Sequence, residues 1–584
     1  MRIIILKDFY RADFSEKLIY LINIFKKREY LMDNTYSYLS NAYGKNHFEI
    51  DKPFQAVLEY FLGKSPDFSD LGKFVGEELY EVTDYIDKNA HPRHVMWSVN
   101  DERVDSVWLD PAERWVLEKL IKEYGVNKPP YEEGNWFKHF ASLYLIADPG
   151  IGCIITVTNQ TAYALYKYGT DDLKKYVPHL IGESEPIMYG ATWFTEIQGG
   201  SDLGANSTEA FHDGKNWILN GENKYFASNV GLADMALVTA RPRGSQPSAK
   251  GLGLFLVPKI NSLGKRNFIV RRLKEKSGTI AVPTGEVEFH NSEAYLIGEL
   301  GKGIYYTMED LMVSRLANSV AALGIARKAF LEAYYYAQIR SAFGKRLIEH
   351  PLMQRDLLDM EIIIEGTTAL TFKAIDEFQK SWKATPPYSE KYHYARLLTH
   401  LAKNITAETA AYTSKMAMEI YGGKGFLEEY PIERLHREAL ITPIWEGTSN
   451  IQALDMLEAI SKKNAHIQLV NDMKSLINEI KEGKETASLA ESKIEETLSK
   501  LRAYTETEAQ FYAKDILMTL GHSIAVILLA HIGSKLNLDR FTLIAKLYAD
   551  KYLEGKSYPI DVIEKAKELF VIEELRPKSV IYHA

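Results

Sequence analysis

A chain of 584 residues is too long for a single hydrophobic core and implies several domain-sized units. With 46 % apolar and 25 % charged residues it has the make-up of a folded globular protein, and a net charge of -8 gives no support to binding a phosphate backbone, which runs on Lys and Arg. The single cysteine, Cys153, excludes intrachain disulfides and argues against a thiolate metal site, in keeping with a cytoplasmic protein.

Residues 1–6 are apolar apart from Arg2 but meet Lys7 and Asp8 at once, too short a run for a signal peptide. Up to about residue 185 the chain reads as an N-terminal helical domain (1–185), with apolar residues at helical spacing in 54–62 and 111–124. Thr170 followed by Asp171 and Asp172 predicts a helix start, a capping hydroxyl with two acids at the positive end of the dipole. From 186 to 300 the character changes to short β-favouring runs at 207–212, 216–219 and 254–257. Breaks at Asp213-Gly214 and Asn220-Gly221 predict hairpins of a central antiparallel β-domain. Helical periodicity returns between 301 and 460, at 323–339, 352–378 and 407–421, with Pro386-Pro387 in a polar linker and Gly422-Gly423 ending the last helix. Residues 461–584 read as an extra helical domain, charge-rich near 481–493 and apolar near 516–532, with no one-sided basic stripe. The most apolar runs, such as 524–529, fall short of a membrane span, so no membrane association is expected. The fold class is α+β multidomain: helical domain, β-domain, helical bundle, helical extension.

Three segments carry chemistry. In 192–202 (TWFTEIQGGSD), Thr195 offers a hydroxyl, and Gly199-Gly200-Ser201 offers backbone amides that a pyrophosphate or flavin ring can approach; alone, this is also an ordinary turn. In 444–451 (IWEGTSNI), Ile444 and Trp445 would desolvate Glu446 and raise its pKa toward that of a general base. The bland alternative is an acid leading into a helix that Thr448 or Ser449 caps. In 340–350 (RSAFGKRLIEH), Arg340 could hold a phosphate or simply close a helix. Neither GxGxxG nor GxxxxGK[ST] is present, and His91 and His94, separated by Pro92, lack the partners of a metal site.

Together, in this order, these motifs resemble the acyl-CoA dehydrogenase superfamily over about residues 110–460. The resemblance rests on TE-x-x-x-GSD at 195–202, R-x-x-FGK at 340–345, GGxGF at 422–426 and WEGT at 445–448, with Tyr168-Gly169-Thr170 to Gly182-Glu183 as lead-in. The phrases EHPLMQ (349–354) and AMEIYGG (417–423) and the long tail are similar to its AidB-like branch.

The resemblance implies FAD between the β-domain and the following bundle. Phe194, Thr195, Phe226 and Ser228 would contact the flavin, with Thr448 and Asn450 completing its surround. Gly200 and Ser201 would lie where cofactor and acyl-CoA phosphates approach. Arg340, Phe343, Gly422 and Gly423 would meet the ADP half, typically of a neighbouring subunit, which implies a homodimer or homotetramer. Glu446 would be the catalytic base that removes the α-proton of an acyl-CoA while a β-hydride leaves for flavin N5, giving a 2-enoyl-CoA. Arg315 and Trp445 would border the substrate. Glu419 and Pro351 stand where glutamines are common, and Trp445 where tyrosine is usual. An electron-transferring flavoprotein is the expected electron acceptor. The rivals are an acyl-CoA oxidase and, as in part of the AidB-like branch, a protective flavoprotein associated with nucleic acid.

Overall fold

The computed structural model describes residues 35–575; the apolar start at 1–6 and residues 576–584 lie outside the described residues. The N-terminal region is mainly helical. Lys52–Leu62 starts at Asp51, whose side chain accepts from the Phe54 amide, and stops at the left-handed Gly63. The 111–124 segment is an α-helix, Pro111–Glu118, capped by Asp110, that loosens into a π turn over Lys119–Glu123. Thr170 does sit at the cap of a single turn, Asp171–Lys174, but its hydroxyl makes no capping bond. This region also contains a hairpin where only helices were expected, β1 (Arg93–Trp97) with β2 (Arg103–Trp108). Two buried helices follow, α1 (Trp136–Ile146) and α2 (Pro149–Tyr168).

The central domain comprises β3 (Gly190–Trp193), β4 (Glu209–His212), β5 (Trp217–Ala227), β6 (Met235–Pro242), β7 (Gly253–Pro258), β8 (Ile269–Leu273) and β9 (Gly285–Leu296). The order β3-β6-β4-β5-β9-β7, together with the β6–β7 pairing, closes the sheet on itself, and β8 pairs with β9. Most pairings are antiparallel, but β6 runs parallel to both β3 and β4. The Asp213-Gly214 turn joins β4 to β5, with the Asp213 carboxylate accepting from the amides of Lys215 and Asn216. Asn220-Gly221 is no turn. It lies inside β5 at a register shift, where a Cβ on Gly221 would stand 2.8 Å from the Thr208 hydroxyl.

The bundle is built on three long helices, α3 (Gly303–Ile339), α4 (Pro351–Ser381) and α5 (Glu390–Tyr421), followed by α6 (Ser449–Ser461). The C-terminal helices pack onto this bundle through α7 (Ala513–Leu536). One apolar core runs without a break from the N-terminal helices through the bundle to these last helices, while the β-domain has its own. Among the described residues α7 is the one helix long and apolar enough to cross a membrane, a length the 524–529 run did not reveal; 89 % of its most apolar window is buried in the protein. It is apolar on all faces because it is surrounded.

A chain of buried ions joins the parts. Arg327 on α3 pairs with Asp51 (3.0 Å) and with Glu361 on α4, and Arg540, from the helix Asp539–Tyr552, donates to Glu365 (Nε to Oε1, 2.9 Å). Arg540→Ala strands Glu365 in the interior and should lower stability by about 3–5 kcal/mol, read by chemical denaturation; an unchanged midpoint would show that the C-terminal helices are not anchored there.

Candidate active site

Glu446 lies in the turn between the helix Pro431–Ala439 and α6, with φ +58°, in the left-handed region that a non-glycine residue enters at a cost of about 1–3 kcal/mol. Gly447 follows at φ +93°. Three buried side chains hold this turn by its carbonyls. Arg315 Nε (3.0 Å) and Gln452 Nε2 (3.0 Å) donate to the Glu446 carbonyl, and Gln452 Nε2 (2.9 Å) and Lys403 Nζ (2.8 Å) donate to that of Gly447. Gln452 is oriented in turn by His400, whose Nδ1 lies 2.8 Å from its Oε1. Burial pushes the His400 imidazole down to about 3, so it is neutral at ordinary pH and donates this bond.

The turn aims the Glu446 carboxylate at α3, where Ser314 Oγ donates to Oε2 at 2.5 Å. Loss of solvent raises the Glu446 pKa; the Ser314 hydrogen bond and the charges of Arg315 and Lys403 oppose the rise without cancelling it. Burial also pushes the Lys403 ammonium down to about 7. Arg315 pairs with Asp455 at 3.2 Å. It thus supports the Glu446 turn, one residue along α3 from Ser314 of the pocket wall.

That pocket is a narrow cleft, open to solvent at its mouth, between two helices. Pro149, Gly152, Cys153, Thr156 and Val157 line one wall at helical spacing along α2. Ser314, Ala317, Asn318 and Ala321 line the other along α3. Leu143 of α1 lies at one end, and Trp445 and Glu446 at the other. The Trp445 indole donates to Asn318 Oδ1, and Asn318 Nδ2 donates to the Thr442 carbonyl (3.2 Å), so the indole is fixed as a wall.

The β-domain contributes an open lip beside α2, joined to it by the Gly190 amide, which donates to Thr158 Oγ1, and by Thr161 Oγ1, which donates to the Ala191 carbonyl. Thr195, Gly200 and Ser201 follow β3, and Phe226 stands 53 % exposed on β5 with Lys274 Nζ 4.8 Å over its ring. A Cβ on Gly200 would lie 2.5 Å from Thr195 Oγ1, so glycine keeps that hydroxyl in place. An exposed ring, a hydroxyl and bare backbone are the donor and stacking set that an isoalloxazine and a pyrophosphate require. Phe194 and Ser228 do other work. The Phe194 ring is buried among Leu203, Leu237 and their neighbours and its carbonyl accepts from Asn206 Nδ2 (2.8 Å), and Ser228 Oγ is bonded to the Thr192 amide and carbonyl.

The remaining residues form a separate group. Arg340, Phe343, Gly422 and Gly423 gather at the far ends of α3 and α5, where Tyr336 and Tyr421 stack at 4.2 Å. From Ser314 to the end of α3 the helix climbs roughly 38 Å, so one chain does not bring this group to the flavin lip. Phe343 is 96 % exposed, and a Cβ on Gly422 or Gly423 would meet nothing within 4 Å. Thr448 and Asn450 are exposed at the start of α6 beside Glu446, and Thr448 makes no side-chain capping bond. Glu419 pairs with Lys415 on the surface, and Pro351 opens α4. His91 and His94 bond to different acceptors, the Asp87 carbonyl and Asp105.

Sequence reasoning missed Ser314, Asn318, Lys403, Gln452 and the pair Glu196–Lys224. A lysine on the apolar face of an Ala-rich helix was the one readable signal, at Lys403. Glu196 fastens the lip. Burial works against its charge, but Lys224 Nζ at 3.1 Å and donors from Ser207 and Thr208 prevail and hold its pKa at about 2.

Family models for the acyl-CoA dehydrogenase middle domain (residues 191–292) and C-terminal domain (301–461) match this chain, as does the N-terminal domain of the adaptive response protein AidB (39–184). The chain belongs to the acyl-CoA dehydrogenase superfamily, enzymes that are FAD-dependent oxidoreductases. Within it, it falls in the AidB-like branch: it is 31 % identical to AidB of Escherichia coli (strain K12), over 72 % of this chain and 78 % of that one. It is 28 % identical to acyl-CoA dehydrogenase family member 11 of Caenorhabditis elegans, over 78 % of each chain. The crystal structure of C. elegans ACDH-11 in complex with C11-CoA superposes with a TM-score of 0.80 at 25 % identity, covering 90 % of this chain and 95 % of that one.

The depressed Glu196 pKa stabilises the fold fully above the ordinary value of 4.5, and that contribution is lost as pH falls through about 2. Glu196→Gln, which leaves the Lys224 ammonium without its counter-charge, should cost about 3–5 kcal/mol at neutral pH. It should also flatten the acid sensitivity of the denaturation midpoint over that window; equal sensitivity in variant and wild type would assign the acid response elsewhere.

Proposed function

We propose that the protein is an acyl-CoA dehydrogenase that converts an acyl-CoA to the 2-enoyl-CoA, with Glu446 as base. One observation carries this: a carboxylate of raised pKa, locked on a left-handed turn, at the mouth of an apolar pocket. The acyl chain enters between α2 and α3, and its α-carbon faces Glu446. Ser314 occupies Oε2, which leaves Oε1 to take the α-proton. A raised pKa suits the carboxylate to this weakly acidic C–H, and the pinned turn spares it any reorganisation. Bound FAD supplies the acceptor for the hydride that leaves the β-carbon as the double bond forms. The C11-CoA in the nematode relative supports an acyl thioester as substrate.

Thr195, Phe226, Gly200 and Ser201 hold the flavin in this reading. Arg340, Phe343, Gly422 and Gly423 serve the cofactor of a second copy, since their own lip is out of reach. An electron-transferring flavoprotein reoxidises the enzyme. Stoichiometric peroxide on turnover in air would instead identify an oxidase.

Glu446→Gln should lower kcat/KM by roughly 10²–10⁴-fold while flavin binding is kept. In the wild type the acidic limb of kcat/KM should lie above the ordinary glutamate value, because the base must be ionised and burial raises its pKa. Ser314→Ala removes a bond that favours the charged form, so it should move that limb to still higher pH. A limb that stays in place, or falls, would detach Ser314 from the base.

A further inference from the structure

We infer that the acyl pocket sets a length limit of roughly eight to ten carbons, with Ala321 and Leu143 as the residues that determine it. This rests on the reading of Glu446 and its cleft as the acyl-CoA site.

The lining residues of α3 run from Ser314, beside the Glu446 carboxylate, to Ala321. At 1.5 Å per residue that wall is about 10 Å long. An extended chain of 1.5 Å bonds advances about 1.3 Å per carbon, so roughly eight carbons beyond the α-carbon fill it.

Beyond Ala321 the cleft has nowhere to go. At Gly324 α3 meets the C-terminal end of α1, which closes the cleft between α2 and α3: a Cβ there would stand 2.3 Å from the Tyr144 carbonyl oxygen and 2.9 Å from the Ala147 Cβ. Leu143, next to Tyr144, is the apolar stopper at this end. Past the contact lies the buried ion cluster of Arg327, Asp51 and Glu361, with the Tyr144 hydroxyl donating to Asp51 at 2.6 Å. A longer methylene chain would have to break this helix contact and press on paired charges that have no water to fall back on.

The same end wall disfavours acyl chains with a polar terminus. Leu143, Ala317 and Ala321 offer no hydrogen-bond partner to a distal carboxylate or hydroxyl, and Asn318 spends both ends of its amide on Trp445 and Thr442. The class of ligand is therefore a medium-length aliphatic acyl thioester. Each added methylene up to the stop should tighten binding by roughly three- to fourfold, and further ones should add nothing.

Calorimetric titration of the FAD-loaded Glu446→Gln protein with butyryl-, hexanoyl-, octanoyl-, decanoyl-, dodecanoyl- and palmitoyl-CoA tests this without turnover. The expected result is affinity that climbs to the eight- or ten-carbon ligand and then levels or falls. Adding Ala321→Leu should move the break to chains shorter by two to four carbons, and adding Leu143→Ala, which needs no extra room, should move it to longer ones. Affinity that keeps rising to palmitoyl-CoA, a break that neither variant moves, or no acyl-CoA binding at all overturns the inference. A clear break in binding, in a protein whose wild-type flavin no acyl-CoA bleaches, would keep the length limit and sink the dehydrogenase reaction instead.

Discussion

The active site depends on a clamp of three side chains on two successive carbonyls. A glutamate at φ +58° does not stay there unaided. Arg315 comes from α3, Lys403 from α5 and Gln452 from α6, so the position of one carboxylate is written into the packing of three helices. Because each donor is buried, each would lose its partner if the turn relaxed, and an unpaired polar group in the interior costs more than the bond contributes. The strain at Glu446 and the buried donors therefore support each other.

The same helices that carry the clamp also form the pocket. Ser314 and Arg315 are adjacent on α3, one turned to the carboxylate oxygen and the other to its carbonyl, while Ala317, Asn318 and Ala321 continue the pocket wall. Shape and electrostatics thus share one element, and a shift of α3 would change the fit of a ligand and the basicity of Glu446 together. The flavin lip is more independent. It stands on a closed sheet with its own core and is fastened internally by Glu196 and Lys224.

What the sequence made legible is tied to its glycines and to local chemistry. Glu446-Gly447 and Gly199-Gly200-Ser201 announce turns where backbone or carboxylate must be accessible, and the long helices follow from their periodicity. The missing parts depend on which face of an element is covered, and a linear pattern does not encode that. Lys403 and Gln452 look like ordinary helix polars until α5 and α6 pack on the turn. Arg315, expected beside the substrate, also pairs with Asp455 and holds the Glu446 carbonyl, contacts that lie far from it in sequence. The parallel pairing of β6 and the bulge at Gly221 are likewise products of closure, since hairpin signals speak only of sequence neighbours. The hairpin at β1–β2 was hidden among helical signals, and α7 was underestimated because its apolar residues are interrupted by His522, Ser523 and His531.

The place of α7 has a consequence for how the protein comes into being. A polypeptide leaves the ribosome N-terminus first, and domains begin to fold as they emerge. The β-domain has all its strands early, but the bundle shares its core with helices that follow it in the chain. Until α7 and the helix bearing Arg540 have emerged, α4 and α5 present an uncovered apolar flank, and Glu365 waits for its guanidinium. The bundle's core is therefore complete only once these later helices have joined it, and they act as a seal on helices made before them.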